Sequence, residues 1–159
     1  MKKITAILLT AVLSICFCMI PQTAVEAADS TEYQVGDYVG GSLLTDEDFS
    51  EGTALAMTRG IYLGSGSSSI SKVGTGKIAA SGSTVGQKTV STISVTVRVE
   101  RLVGSSWQVY TSWSATRYNA ASVTSSKTLS VPQGYFYRVH SIHHANSDSS
   151  GSYTNGIWI

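Results

Sequence analysis

The sequence predicts an all-β protein: a single antiparallel β-sandwich of about seven or eight strands. From about residue 55 onward, apolar side chains recur at every second position, which is the period of a strand with one buried face. Glycine, serine and asparagine separate these runs, as turn residues do. After the first 27 residues, no stretch shows the three-to-four-residue period of an amphipathic helix.

The first 27 residues have the composition of a secretory signal peptide. Lys2 and Lys3 precede an apolar run from Ile4 to Ile20, and small residues follow it. The run is short for a membrane span, and Val25 and Ala27 lie where signal peptidase needs small or apolar residues. We expect cleavage after Ala27 and a secreted, extracellular or cell-surface protein with no stable membrane anchor; a retained anchor is the alternative.

Both cysteines, Cys16 and Cys18, lie in the segment that we expect to be removed. The chain that remains, Ala28 to Ile159, would therefore have no disulfide, no thiolate metal site and no cysteine nucleophile. It is long enough to bury one ordinary core. Export without cysteine suits a bacterial protein.

Charge divides this chain into two parts. Residues 28–52 carry seven acidic side chains and no basic one, whereas residues 53–159 carry nine basic and two acidic ones. We interpret 28–52 as an acidic leader, either flexible or folded over the body, and 53–159 as the β-sandwich domain. The basic residues form no run, so we predict no nucleic-acid partner.

The clearest strand signal runs from Val90 to Val103, where apolar residues alternate with threonine, serine and arginine. A short turn leads into SSWQVYTSWSAT, and the two segments predict a long hairpin. Trp107 and Trp113 share a parity with Val109, and we assign both tryptophans to the core. The glycine- and serine-rich segments GSGSSSISKVGTGK and ASGSTVGQK are interpreted as hairpin loops. Further strands are predicted at Leu55–Leu63, Ser68–Val73, Lys77–Ser81, Ala121–Val131, Tyr135–His144 and Ser152–Ile159.

Pro132 and Gly134 lie just before an aromatic strand. The chain of an immunoglobulin-like domain has such a corner where it crosses between its two sheets. We therefore expect Tyr135 or Tyr137 to hydrogen-bond back to the corner. This motif favours an immunoglobulin-like sandwich.

All three histidines lie within five residues, at His140, His143 and His144. On a strand that rises about 3.3 Å per residue, the first and last share a face about 13 Å apart, and His143 faces the other way. A metal ion needs its ligands within about 2 Å. We therefore predict no metal and no cofactor, and interpret all three as surface or rim histidines.

The sequence offers no convincing catalytic residue. A serine-hydrolase elbow of the form G-x-S-x-G does not occur. A glycosidase needs two carboxyl groups beside the scissile bond, and the body has only Glu100 on a strand and Asp148 in a loop. We therefore predict that the protein is not an enzyme.

Candidate ligand-binding residues are aromatic side chains that face away from the core. The segments RGIYL at 59–63 and NGIWI at 155–159 are similar, and our hypothesis is that these two strands pair side by side. With their isoleucines and leucine inward, Tyr62 and Trp158 would form one platform on which sugar rings or peptide side chains stack. Tyr110, on the polar parity of its strand, is the third candidate.

Several segments together resemble a known family: the acidic leader, TRGIYLGSGSSSISKVGTGKIAASGST, the valine-rich strand, SSWQVYTSWSA and SYTNGIWI. The family consists of small secreted proteins of Gram-positive bacteria and is classed as a domain of unknown function. The resemblance covers nearly all of the mature chain and implies an exported, disulfide-free β protein, with no known activity or binding residue. A looser similarity to immunoglobulin-like or fibronectin-like sandwiches rests on the valine hairpin and the proline–glycine–tyrosine corner, and such an analogy does not transfer function.

We therefore expect a secreted, non-enzymatic protein that binds at the cell envelope or in the extracellular matrix, with a cell-wall glycan or other extracellular polymer as the first ligand to test. The alternative is a secreted toxin or a self-assembling extracellular protein, because amphipathic strands rich in serine and threonine can pair edge to edge. A hydrolase is the third interpretation.

Overall fold

The computed structural model describes residues 33–54 and 60–159. The described residues form nine β-strands and no helix, which confirms the all-β class. The predicted signal peptide and both cysteines lie outside the described residues. The strands are β1 (Tyr38–Val39), β2 (Ser42–Thr45), β3 (Phe49–Ala54), β4 (Leu63–Gly74), β5 (Lys77–Val103), β6 (Ser106–Ser130), β7 (Phe136–Ala145), β8 (Asp148–Tyr153) and β9 (Gly156–Trp158).

All nine strands belong to one curled sheet. Its order is β1-β2-β9-β7-β5-β4-β3, with β6 paired to β5 and β8 paired to β7. On the side opposite β6, β5 pairs first with β4 and then with β7. The expected immunoglobulin-like sandwich is not confirmed, and the purely antiparallel arrangement is wrong because β2 and β9 are parallel.

The sheet curls because its two longest strands bend together. In β5 the pairing with β6 shifts between Val85 and Val90, and Asn119 in β6 adopts a left-handed backbone with φ 49°. Asparagine tolerates this conformation better than most residues, and such irregularities sharpen the local twist of a sheet. The bend divides the sheet into two layers. The first layer consists of β3, β4, the first half of β5 (up to Val85) and the second half of β6 (from Ser122). The second layer consists of β1, β2, β7, β8, β9, the second half of β5 (from Val90) and the first half of β6 (up to Ala120).

The hairpin-loop interpretation of the glycine- and serine-rich segments is wrong for most of their length, because they form β4 and the first half of β5, joined by a turn at Thr75 and Gly76. The strands predicted at Ser68–Val73 and Lys77–Ser81 lie within them. The small residues of these segments lie where the two layers approach most closely. A methyl group on Gly66 would collide with the His143 ring, and one on Gly82 would lie 2.6 Å from the Ser141 hydroxyl. Cα atoms of β4 and β7 approach within 8 Å, closer than the usual spacing of about 10 Å between stacked sheets.

Two apolar clusters hold the fold together. The main core fills the space between the layers and includes Ile70, Ile78, Val95, Val97 and Val139. A second cluster lies on the outer face of the second layer and consists of Val39, Leu44, Leu102 and Phe136, with Tyr33 and Trp107 packed against it. The second cluster exists because β1 and β2, from the acidic leader, cover that face.

The predicted tyrosine corner is present. The Tyr137 hydroxyl donates a hydrogen bond to the Pro132 carbonyl at 2.9 Å, and its side chain is fully buried in the main core. This contact fixes the direction in which the chain enters β7. It does so within one curled sheet, so the motif alone does not identify an immunoglobulin-like domain.

Candidate functional site

The hypothesis that Tyr62 and Trp158 form one platform is wrong. Trp158 lies opposite Phe136 at the first residue of β7. The Tyr62 amide donates at 2.7 Å to Asp148, which lies opposite Ala145 at the other end of β7. Nine residues of strand separate the two positions by about 30 Å. Residues 60–63 of the first pentapeptide do not pair with the second, because β9 lies between β2 and β7.

The two residues also differ in exposure. Trp158 is 43% exposed between two buried isoleucines, as predicted, and its ring lies 4.8 Å from that of Phe136. Tyr62 instead packs against the main core, and its neighbour Ile61 is 62% exposed. The reversal arises because the Asp148 carboxylate accepts bonds from two successive amides, those of Tyr62 and Leu63, and holds this segment out of regular strand geometry. A binding role for either aromatic residue stays a prediction.

Tyr110 lies at a β-bulge that the sequence did not reveal. Val99 pairs with Thr111 and Glu100 pairs with Val109, so Tyr110 is the additional residue of β6. An additional residue reverses the facing of the side chains beyond it. Consequently, Trp113 pairs with Val97 at the main core, while Trp107 packs against the second cluster. The two tryptophans do help to close apolar clusters, but they lie on opposite faces and are only partly buried.

The bulge brings Tyr110 together with Arg101, Tyr135 and Tyr137. The Arg101 guanidinium carbon lies 4.5 Å from the centre of the Tyr135 ring and 6.0 Å from that of Tyr110. Tyr110 and Tyr135 are 40% and 37% exposed, and both contact the buried Tyr137 ring edge to face, at 5.9 and 6.5 Å. We call Arg101, Tyr110 and Tyr135 the tyrosine–arginine surface.

The two exposed tyrosine rings of this surface rest on Tyr137, whose own position is fixed by contacts. Tyr137 is held by the corner hydrogen bond, and burial raises the pKa of its phenol, although the nearby Arg101 charge opposes the rise. Tyr137 therefore remains a neutral donor at physiological pH. Sequence reasoning named Tyr110 but missed Tyr135 and Arg101 as its neighbours, because only the cross-strand pairing of Arg101 with Tyr137 brings them together.

The interpretation of all three histidines as rim residues is wrong for His143, which is fully buried between the layers. The prediction that His143 and its neighbour His144 lie on opposite faces of the strand is confirmed, since His143 points inward and His144 is exposed. His143 Nδ1 lies 2.8 Å from the Thr84 hydroxyl, and Nε2 lies 2.8 Å from the Ser152 hydroxyl. Ser152 in turn lies 2.5 Å from the buried Ser68 hydroxyl.

These groups form a continuous chain of hydrogen bonds. The Thr84 hydroxyl donates to the Ser94 carbonyl at 3.0 Å, so it accepts from the Nδ1–H of His143. Nε2 then accepts from the Ser152 hydroxyl, and the Ser68 hydroxyl is placed to donate to both the hydroxyl and the backbone carbonyl of Ser152. Burial, and then the neighbouring His140 and His144, lower the pKa of His143 to about 4. The ring is therefore neutral at physiological pH and closed off from solvent, which suits a structural role.

His140 belongs to a different cluster, beneath the leader strands. The Glu100 carboxylate accepts a bond from Arg138 Nε at 2.8 Å and lies 3.2 Å from His140 Nδ1. Burial alone would raise the Glu100 pKa, but the bonds from His140 and Arg138 outweigh burial and lower it. Arg138 also donates to the Gly40 carbonyl and to the Ser42 hydroxyl, so the body holds the leader through this arginine.

Among residues 33–54 and 60–159, no group of three or more His, Cys, Asp or Glu side chains is placed to hold a metal ion. No helix within these ranges is long and apolar enough to cross a membrane.

The comparisons with known proteins give one family. No curated protein and no solved structure matches the chain. A family model matches residues 26–157, a range that begins just before the acidic leader and ends within β9. This confirms the resemblance to a domain of unknown function: the chain belongs to the family described as "Family of unknown function (DUF6147)".

Proposed function

We propose that this protein is secreted, is not an enzyme, and binds a glycan or wall polymer at the cell envelope or in the extracellular matrix. The tyrosine–arginine surface is the observation that carries the proposal. Two part-exposed tyrosine rings and a guanidinium group come from three different segments of the chain and lie together at one end of the main core.

The chemistry of this surface suits a sugar polymer. Aromatic rings offer large apolar faces with a polar hydroxyl at one end, and the apolar face of a sugar ring can pack on them. A guanidinium group donates several hydrogen bonds in a fixed plane to hydroxyl or carboxylate oxygens. Because Tyr137 holds both rings from below, little conformational entropy is lost when a ligand binds.

Other polar groups support binding over catalysis. The histidine with the most perturbed pKa, His143, is enclosed by hydroxyl partners, and Glu100 is held between Arg138 and His140. Asp148 accepts bonds from two backbone amides, and these bonds lower its pKa. Each group is engaged in holding the fold.

The test is co-sedimentation of the purified protein with isolated Gram-positive cell walls and with insoluble polysaccharides, at low and high salt. We expect retention that persists in high salt, because apolar stacking is not screened. Tyr135→Ala and Tyr110→Ala should each weaken retention by about fivefold or more, the effect of losing roughly 1 kcal/mol. Arg101→Gln should weaken retention less than the two tyrosine variants do. Its effect should be larger at low salt than at high salt, because salt screens the guanidinium charge.

Tyr118→Ala is the matched control, because Tyr118 lies on the same strand as Tyr110 and is 72% exposed. Its retention should equal that of the unmodified protein. Trp158→Ala tests the separate outward tryptophan of β9. Equal retention of the Tyr110, Tyr135 and Tyr118 variants would contradict the proposed surface, and no retention on any polymer would contradict glycan binding.

A second candidate function, self-assembly outside the cell, is favoured by a different observation. β6 is 25 residues long and, among the described strands, pairs only with β5. One edge of this strand therefore has no partner strand within the described part of the chain.

A further inference from the structure

The free edge of β6 lacks most of the features that protect edge strands. Natural proteins shield such edges with lysine, proline, short length or a covering segment. β6 contains no proline, and Arg117 and Lys127 are its only charged residues. Lys127 lies over the Trp113 ring at 5.0 Å, on the side that faces the main core. The bulge at Tyr110 and the bend at Asn119 interrupt the edge, and both lie before the second half of the strand, which pairs with the first half of β5 from Ser122 to Ser130.

The first layer has a second edge, at β3. β3 pairs with β4 and, among the described strands, with no other. The strands of this layer follow the order β6-β5-β4-β3, and every neighbouring pair is antiparallel. If a second copy is placed beside the first in the same orientation, its β3 lies antiparallel to β6. The alternation of strand directions then continues without interruption.

The outer face of this layer also repeats from strand to strand. Its side chains align in rows across all four strands, because the pairings of β3, β4, β5 and β6 are in register. Hydroxyl groups dominate the rows, and the hydroxyls of Ser83 and Thr124 are 2.8 Å apart. Two complete rows are Thr53, Ser67, Ser83 and Thr124, and Glu51, Ser69, Ser81 and Ser126.

Charge distinguishes the two edges. β3 carries Glu51, and the exposed Asp46, Glu47 and Asp48 come directly before it. β6 has no acidic residue, and the exposed Lys77 lies opposite Ser130 near its end. Two β6 edges would bring like charges together, whereas β6 against β3 brings basic residues toward acidic ones.

We propose that the second half of β6 pairs with β3 of a second copy of this chain, so that the first layers join head to tail. In the register that continues the rows, Thr124 faces Thr53 of the second copy and Ser126 faces Glu51 of the second copy. A head-to-tail contact does not close on itself, so it produces open chains of copies. With only six residues in β3, the contact is small and the association is weak.

The test is analytical ultracentrifugation of the purified protein over a wide concentration range. We expect the average mass to increase with concentration beyond that of a dimer, and to fall at high salt. Ser126→Glu places a carboxylate beside Glu51 of the second copy, and Glu51→Lys reverses the charge of the β3 edge. Ser126→Glu should raise the concentration needed for association by about fivefold or more, the effect of roughly 1 kcal/mol.

The double variant Ser126→Glu/Glu51→Lys restores opposite charges at the contact and should recover association. Ser112→Glu, in the first half of the same strand, is the matched control and should leave association unchanged. A monomer at every concentration, a mass that stops at the dimer, or a double variant no better than Ser126→Glu would each overturn the proposal. Loss of association in Ser112→Glu would overturn it as well.

Discussion

At the scale of single residues, His143 shows how far alternation along a strand can be trusted. The two-residue period correctly places it opposite His140 and His144. On its inward side, His143 meets Gly66 of the opposite layer. The alternation of residues along one strand does not show which strand lies opposite. His143, which the sequence suggests is a rim residue, is therefore part of a buried chain of hydrogen bonds that runs from Ser68 to the Ser94 carbonyl.

This residue predicts an acid-sensitive fold. The pKa of His143 is about 4 in the folded protein against 6.5 for an unperturbed histidine, so the unfolded chain binds a proton first as the pH falls. The free energy of unfolding should decrease between pH 6.5 and about 4, by about 1.4 kcal/mol per pH unit within that window. Urea denaturation at several pH values measures this slope.

Two variants separate His143 from the other titrating groups. His143→Gln should lower stability at pH 7 by about 1–3 kcal/mol, through loss of buried hydrogen bonds, but should remove most of the slope above pH 5. His144→Gln, at the exposed neighbour, should leave the stability at pH 7 unchanged and reduce the slope only slightly, because the His144 charge lowers the pKa of His143 less than burial does. A full slope in His143→Gln would assign the acid sensitivity to another group.

At the scale of strands, the apolar pattern predicted the valine-rich half of β5 and its hairpin with β6, because one face of that segment is buried. In the glycine- and serine-rich segments it predicted only the short strands Ser68–Val73 and Lys77–Ser81, because the composition around them favours loops. These segments are strands whose inward side chains must be small, since Gly66 lies against the His143 ring and Gly82 against Ser141. The requirement comes from the opposite layer, so local sequence does not reveal it.

Gly66→Ala tests this explanation. The added methyl group would overlap the His143 ring, so the layers must shift or the ring must leave its place. We expect a loss of about 1–3 kcal/mol in the free energy of unfolding, as for other overpacked cores. Gly151→Ala is the control, because its methyl group would meet its nearest atom at an ordinary 3.6 Å. Equal stability of Gly66→Ala and the unmodified protein would contradict the close layer contact.

At the scale of the whole molecule, a buried charge cluster joins the leader to the body, beside the strand pairing of β2 with β9 and the second apolar cluster. Arg138 reaches the Gly40 carbonyl and the Ser42 hydroxyl while its other side contacts Glu100. The sequence showed that the leader is acidic and the body basic. It did not show that Arg138 is held by Glu100 of the body and reaches the leader at Gly40, because that contact joins residues nearly 100 positions apart.

A double-mutant cycle tests the cluster. Glu100→Gln leaves a buried guanidinium without its partner and should cost about 3–5 kcal/mol in the free energy of unfolding. The double variant Glu100→Leu/Arg138→Leu leaves no unpaired charge and should cost clearly less than the sum of its single variants. The surface pair of Asp48 and Lys72, 3.9 Å apart, provides the control, and Asp48→Asn should change stability by less than about 1 kcal/mol. Additive effects at Glu100 and Arg138 would contradict the coupling.

The continuity of β5 through both layers has a consequence for how the molecule opens. A single strand, β5, is hydrogen-bonded to β6 in both layers, and to β4 and then β7 on its other side. Only the short stretch between Val85 and Val90, at the bend, lies outside its pairing with β6. Melting of one layer would release strands that also hold the other, so we expect the two layers to unfold together as one cooperative unit.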